Sequence, residues 1–387
     1  MTARLTETGR ILVAGSLLAL CVPPLPLGPL VPLVMAGVLA WLAPKTPGKA
    51  ALAAFLSGLV FHLGALHWIK NVMDVGPPLT IALGVALLVA YLSAFHALWG
   101  WLWAICLRRR KVWAWPFLFT GIELVRGCGD MAFPWLHVAY DFGGNLPLLQ
   151  GVSVFGVYGT GLLIASTSVL VQQAASGSSS RKWLTIPVTF WGVWILVGAL
   201  RAASPVAPAR MRVALVQPAI PQTRKWDESY FKAVIDKTFR TVSQVPGKVD
   251  LWVFPETAIP DFWTWRPEVA AKFLLLSDTS NSDVVLGALE AVPDTAKPMG
   301  AAVLNSAFFI QPHKAPQRYD KIRLVPFSER LPFDDVFPAL NKVKLGQSGF
   351  SAGDTQVVWN SGSPWSPAIC FEEVHADFVR RAAQRGA

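Results

Sequence analysis

Charge is what this 387-residue chain has least of: Asp, Glu, Lys and Arg make up 15% of it, against 53% hydrophobic residues and a mean hydropathy of +0.43. A soluble protein of this length needs a charged coat over its surface, so this composition argues against a wholly soluble enzyme. Cysteine is scarce as well. The four residues, Cys21, Cys106, Cys128 and Cys370, form neither a C-x-x-C pair nor a zinc spacing, which argues against dithiol redox chemistry and a cysteine-based zinc site. The six histidines are scattered, none beside a cysteine or carboxylate at ligand spacing, so no metal and no cofactor are implied. Internal repeats and long low-complexity tracts are lacking. So is a small-residue cleavage site after Arg4, Arg10 and the first apolar stretch, and that stretch is expected to persist as a helix. The formal charge of +10 comes with no nucleic-acid motif, and nucleic-acid binding is not expected.

What is present is a ladder of apolar runs over residues 1–200. The run from Ile11 to Ala43 is too long for one span, and Pro23, Pro24, Pro26 and Pro29 interrupt it, which predicts a hairpin of two helices. Further segments at about 50–69, 78–107, 112–126, 147–172 and 184–200 bring the expectation to about seven membrane spans. Lysine and arginine cluster between them at Lys45 and Lys49, at Arg108, Arg109, Arg110 and Lys111, and at Arg181 and Lys182. With the N-terminus inside, all three clusters fall in inner loops, as the positive-inside rule requires. The 17 tryptophans are expected at the membrane–water interfaces. This topology delivers everything after about residue 201 to the outer face of the membrane.

Residues 201–210, RAASPVAPAR, read as a linker. Beyond it, over 211–387, strand-like runs (MRVALVQ, VDLWVFPE, SDVVLGALE, AVLNSAFFI) alternate with polar stretches, the pattern of an α/β layered domain. Glu256 follows the run LWVF, Lys321 lies in RYDKIRLVPF, and Cys370 ends SPAIC before a helix-like segment. A thiol at a strand-to-helix turn can be activated by amide dipoles. A carboxylate can take its proton and an ammonium can stabilise an oxyanion. Each residue alone is a weak signal; together and in order they form a candidate site.

The segments VALVQPAIPQTRKWD, LWVFPETAIP, LNSAFF, RYDKIRLVPFSERLPF and AICFEEVHADFVRRA resemble those of apolipoprotein N-acyltransferases, the membrane branch of the nitrilase (carbon–nitrogen hydrolase) superfamily. PPLPLGPL, ELVRG and FPWLHVAY in the first half are similar to the same family. The resemblance implies a polytopic helical membrane domain followed by a nitrilase-like α-β-β-α sandwich on the periplasmic side. It implies Cys370 as nucleophile, Glu256 as general base and Lys321 as oxyanion stabiliser, with Glu329, Trp226, Phe371 and Glu372 supporting them or binding substrate. The implied partners are a membrane phospholipid as acyl donor and a lipoprotein N-terminus as amine acceptor.

The sequence also departs from that pattern. Phe371 stands where the family usually has tyrosine, and Ser328 and Arg330 flank Glu329 in place of glycine and an aromatic residue. Only 17 residues follow Cys370, so the sandwich is expected to be C-terminally truncated, with a sheet edge left open. These departures keep open the alternative of a conjugal plasmid transfer protein of the TraB type, with the same fold and a specialised or non-catalytic role beside conjugation machinery. A transporter reading rests on Glu123, Arg126, His62, His67 and His96; Glu123 and Arg126 also read as a helix-end ion pair.

Overall fold

The computed structural model describes residues 6–69, 78–178, 180–205, 211–295, 297, 300–334, 336–337 and 349–387. The chain divides into two compact units, Met1–Val206 and Ala207–Ala387. Residues 206–210 of the expected linker lie outside the described residues.

The first unit is helical: α1 (Glu7–Cys21), α2 (Val31–Leu42), α3 (Pro47–Ala65), α4 (Pro78–Arg108), α5 (Trp115–Arg126), α6 (Leu146–Leu149), α7 (Val152–Ala175) and α8 (Thr185–Ala202). Side chains set the helix starts. Thr6 and Thr46 accept bonds from the amides of Gly9 and Lys49, and prolines occupy the first turns of α2, α3 and α5, where no donor is lost. Among the described residues, four helices are long and apolar enough to cross a membrane: Pro47–Ala65, Ile81–Arg108, Val152–Ala175 and Lys182–Ala202. The other three long helices, α1, α2 and α5, have 15, 12 and 12 residues, short of the roughly 20 that a crossing takes. The segment expected to open at 147 begins instead with the single turn α6, and α7 is kinked at Gly156 (φ 64°, ψ −179°).

Some tryptophans lie inside the helical unit, while Trp68, Trp101, Trp113 and Trp183 are exposed. Trp103 and Trp115 are fully buried in the helical core with Leu39, Leu42 and Phe119. Their indole N–H groups donate to the carbonyls of Leu39 and Trp99, and Trp194 donates to Leu148. A large apolar body with one satisfied donor suits a helix–helix core as well as an interface. Glu123 and Arg126 do form a buried ion pair (3.5 Å). Glu123 also accepts the amide of Val138, and Arg126 donates to the carbonyl of Leu136 and reaches Nδ1 of His137. The pair therefore fastens the FPWLHV stretch to the end of α5.

The second unit is built on a mixed six-stranded sheet. Its strands are β1 (Val213–Leu215), β2 (Leu251–Val253), β3 (Ile259–Phe262), β4 (Asp283–Pro293), β5 (Ala301–Ile310) and β6 (Gln317–Asp320). The order is β1-β2-β4-β5-β6, with β3 also paired to β4. Strands β1, β2 and β4 are parallel, and β4, β5 and β6 run antiparallel. The one-turn helix α9 (Gln222–Lys225) follows β1. Helices α10 (Phe231–Ser243) and α11 (Pro267–Ser280) lie between strands in sequence.

Apolar residues line both faces of the sheet. Val284, Leu286, Ala288, Phe308 and Ile310 pack with Ile235 of α10 and Val269 and Phe273 of α11. Val285, Ala307, Phe309 and Tyr319 pack on the opposite face. There they meet Trp359 of β7 (Trp359–Asn360), Trp365 of β8 (Pro364–Trp365) and Phe378 of α12 (Ala376–Gln384). A sheet covered on both sides reads as continuous apolar runs rather than alternation, which is how SDVVLGALE and AVLNSAFFI read. Of the expected α-β-β-α sandwich, the described residues give a helical layer, a six-stranded sheet, a two-stranded second sheet and one further helix.

Candidate active site

Glu256 stands three residues beyond the end of β2, on a turn that crosses β4 closely. A Cβ added to Gly287 of β4 would lie 2.4 Å from the Thr257 nitrogen and 2.8 Å from the Glu256 Cα, so only glycine lets this turn lie on the strand. Thr257 takes a left-handed conformation (φ 47°). Lys321 follows β6 directly, and its amide donates to the carbonyl of Asn305 on β5 (2.9 Å). The sheet thus brings a strand end and a strand exit together from segments 65 residues apart in sequence.

The Lys321 side chain is fully buried and its ammonium sits between two carboxylates, 2.8 Å from Glu329 Oε1 and 3.5 Å from Glu256 Oε1. Burial works against its charge, but Glu329 and Glu256 outweigh that and hold its pKa above the ordinary lysine value. Glu329 is itself oriented by the Val325 amide, which donates to Oε2 (2.8 Å).

Cys370 is exposed and left-handed (φ 53°), a conformation that costs a non-glycine residue about 1–3 kcal/mol and collects at functional sites. The sequence reading had a strand before it and a helix after it. Instead the preceding residue, Ile369, is extended outside any strand, and a five-residue 3₁₀ turn, Cys370–Val374, precedes α12. The thiol is raised above its ordinary pKa. Desolvation by the surrounding protein is the largest cause and the charge of Glu256 the next, while Lys321 and, more weakly, the Phe371 amide pull the other way. The amide contribution expected at this turn is thus present but outweighed by burial and by the neighbouring carboxylate.

The supporting residues separate. Glu372 is fully buried and accepts four bonds: Oε1 from the Tyr319 hydroxyl and the amides of Ile322 and Arg323, and Oε2 from the Ile369 amide. It joins the chain after Lys321 to the chain before Cys370. Phe371 is buried, its ring edge-on to His375 at 4.8 Å, so it packs inside the domain. Trp226 is 39% exposed at the end of α9, its ring 5.8 Å from the Lys225 ammonium; core packing is excluded for it.

Two polar residues of the cluster were not singled out from sequence. Asn305 donates its Nδ2 to Glu256 Oε1 (2.6 Å) and lies 3.5 Å from Glu329 Oε1. Lys225 donates to the backbone carbonyl of Glu256 (2.9 Å), and burial lowers its pKa against the opposing pull of Glu256. The one sequence signal for Asn305 is a polar break in the run AVLNSAFFI.

An exposed thiol, a buried ammonium and two carboxylates suit acyl transfer through a thioester. Comparison with known proteins agrees with this chemistry. The apolipoprotein N-acyltransferase N-terminal domain family matches residues 14–170, and the carbon-nitrogen hydrolase family matches residues 212–387. An apolipoprotein N-acyltransferase of Geobacter metallireducens is 30% identical over 97% of this chain and 74% of its own length. One from Nitrosomonas europaea is 30% identical over 90% and 71%, and one from Haemophilus influenzae 27% over 87% and 67%. With matches that run through both halves and the site, the chain belongs to the apolipoprotein N-acyltransferase family.

Proposed function

We propose that this protein is a membrane-bound acyltransferase in which Cys370 carries the acyl chain as a thioester. The observation that supports this best is the convergence of Glu256, Lys321 and Glu329 on one another and, electrostatically, on the Cys370 thiol. Glu256 takes the proton from Sγ, and the thiolate attacks the ester carbonyl of a phospholipid. Lys321 stabilises the tetrahedral oxyanion; the C–O bond breaks, and the departing glycerol oxygen takes its proton from Glu256. In the second half-reaction an amine, such as the N-terminus of a lipoprotein, attacks the thioester. Glu256 accepts the amine proton, the C–S bond breaks, and the thiolate leaves to be reprotonated. Glu329 holds the ammonium between these steps.

The acceptor follows the name of the relatives, apolipoprotein N-acyltransferase, and the phospholipid donor is what the family resemblance implies. In this reading the chain sits in a bacterial inner membrane, with the three basic clusters inside and residues after about 201 in the periplasm. The conjugal-transfer alternative rests on the sequence departures at Phe371, Ser328 and Arg330 and on the short stretch after Cys370, and the geometry of the site adds nothing to it.

The purified full chain, incubated with phospholipid labelled in its acyl chain, is expected to form a hydroxylamine-sensitive adduct. Cys370→Ala is expected to form none. Equal labelling of the two proteins would sink the reading.

A further inference from the structure

The two carboxylates of the site share more than a lysine. Glu256 Oε1 and Glu329 Oε1 are the two oxygens nearest the Lys321 ammonium, and they are the same two oxygens that the Asn305 amide faces, at 2.6 Å and 3.5 Å. Since an ionised carboxylate only accepts, the atom of Asn305 turned to Glu256 is the N–H₂ group. Asn305 is 3% exposed and sits in the middle of β5, beside the strand exit that carries Lys321. Oε1 of Glu256 is thus occupied by an amide and an ammonium. Oε2 has no hydrogen bond among the described residues, and the Glu256 side chain is 35% exposed.

From this we infer that Asn305 is a positioning residue for the acylation step: its amide holds Glu256 by Oε1 and so leaves Oε2 as the oxygen that takes the proton from Cys370. The inference rests on the acyl-transfer reading above. The titratable groups around Glu256 are the Lys321 ammonium, the Glu329 carboxylate, the Cys370 thiol and the Lys225 ammonium on its backbone carbonyl. Asn305 is the neutral member that binds the two carboxylates without cancelling the negative charge the base needs. Beside the ammoniums of Lys321 and Lys225, a third lysine in its place would leave the cluster net positive, and a purely apolar residue would leave Glu256 free to turn.

The sign of the test follows from the proton transfer. The base works only when ionised, so the rate of acylation falls on the acid side of its profile. A donor to the ionised form favours that form, and an added negative charge disfavours it. Asn305→Asp keeps the shape, removes the donor and adds a charge. Asn305→Ser removes the reach without adding charge. The rate of Cys370 acylation by labelled phospholipid would be measured against pH for the wild-type full chain and both variants in detergent, with melting curves to confirm folding. The acid limb is expected to move up by about one pH unit or more in Asn305→Asp, and by less in Asn305→Ser, with a rate about tenfold below wild type at neutral pH. A limb unmoved in the variants that fold, whatever their rate, is what a packing role would give and overturns the inference while leaving the acyl-transfer reading standing. Absence of an adduct on the wild type would overturn both.

Discussion

At the scale of single residues, Glu256 acts on Cys370 in two opposed ways. Its charge raises the thiol pKa, after the larger effect of desolvation, yet as a base it would remove the same proton. Glu256→Gln separates the two effects. In a Cys128→Ser background, since Cys128 is the other exposed thiol, the pH midpoint for alkylation of Cys370 by iodoacetamide is expected to move down. Acylation by phospholipid is expected to fall by about 10²–10⁴-fold. Parallel loss of both reactions, with the midpoint unmoved, would mean that Glu256 does not act on the thiol. Glu256, Lys321 and Cys370 are marked in the sequence by the apolar runs beside them, and Glu329 by the family resemblance. Asn305 is not, since its place beside Lys321 is set by a strand register that forms only in three dimensions. Glu372 stands out for its place two residues after the thiol; the four donors it collects come from two stretches, residues 319–323 and Ile369, and the distant one is what no local pattern reveals.

Among the elements, the strands of the second unit were legible and the approach to the nucleophile was not. Long runs such as AVLNSAFFI announce a strand buried on both faces, whereas SPAIC is too short to tell a strand from an extended loop, and here it is the loop. The helices of the first unit lie within a few residues of the apolar runs read for them, although α1, α2 and α5 fall short of a full crossing. Hydropathy measures how far an apolar run extends, while proline, glycine and buried caps decide where the helix stops within it. The close passage of the Glu256 turn over β4 also belongs to this scale. Gly287→Ala would push a methyl group into backbone at 2.4 Å, and backbone cannot swing aside as a side chain can. A loss of about 1–3 kcal/mol in stability is expected, together with an acylation rate lower by about 10²-fold as Glu256 is displaced. Gly37→Ala, where nothing lies within 4 Å, is the matched control and should keep wild-type melting and rate. Equal behaviour of the two variants would show that the turn yields without consequence.

For the whole molecule, the division into a helical and an α/β unit was visible in composition alone, because charge is sparse before residue 201 and frequent after it. Orientation rests on three basic clusters. A periplasmic reporter such as alkaline phosphatase, fused after Ala387 and expressed in a bacterial host, is expected to be active, and a fluorescent protein at the same place dark. The reverse pattern would invert the topology and remove the second unit from the compartment proposed for it. Replacing Arg108, Arg109, Arg110 and Lys111 with glutamine should reduce the reporter signal in proportion to the share of chains that insert the other way. Within the second unit, the Glu372 carboxylate has a mechanical consequence. It grips the segment leaving Lys321 and the segment entering Cys370 at once, so neither can shift without carrying the other. Sulfur and ammonium are thereby yoked, and in the proposed mechanism their spacing would be handed unchanged from the half-reaction that loads the acyl chain to the one that unloads it.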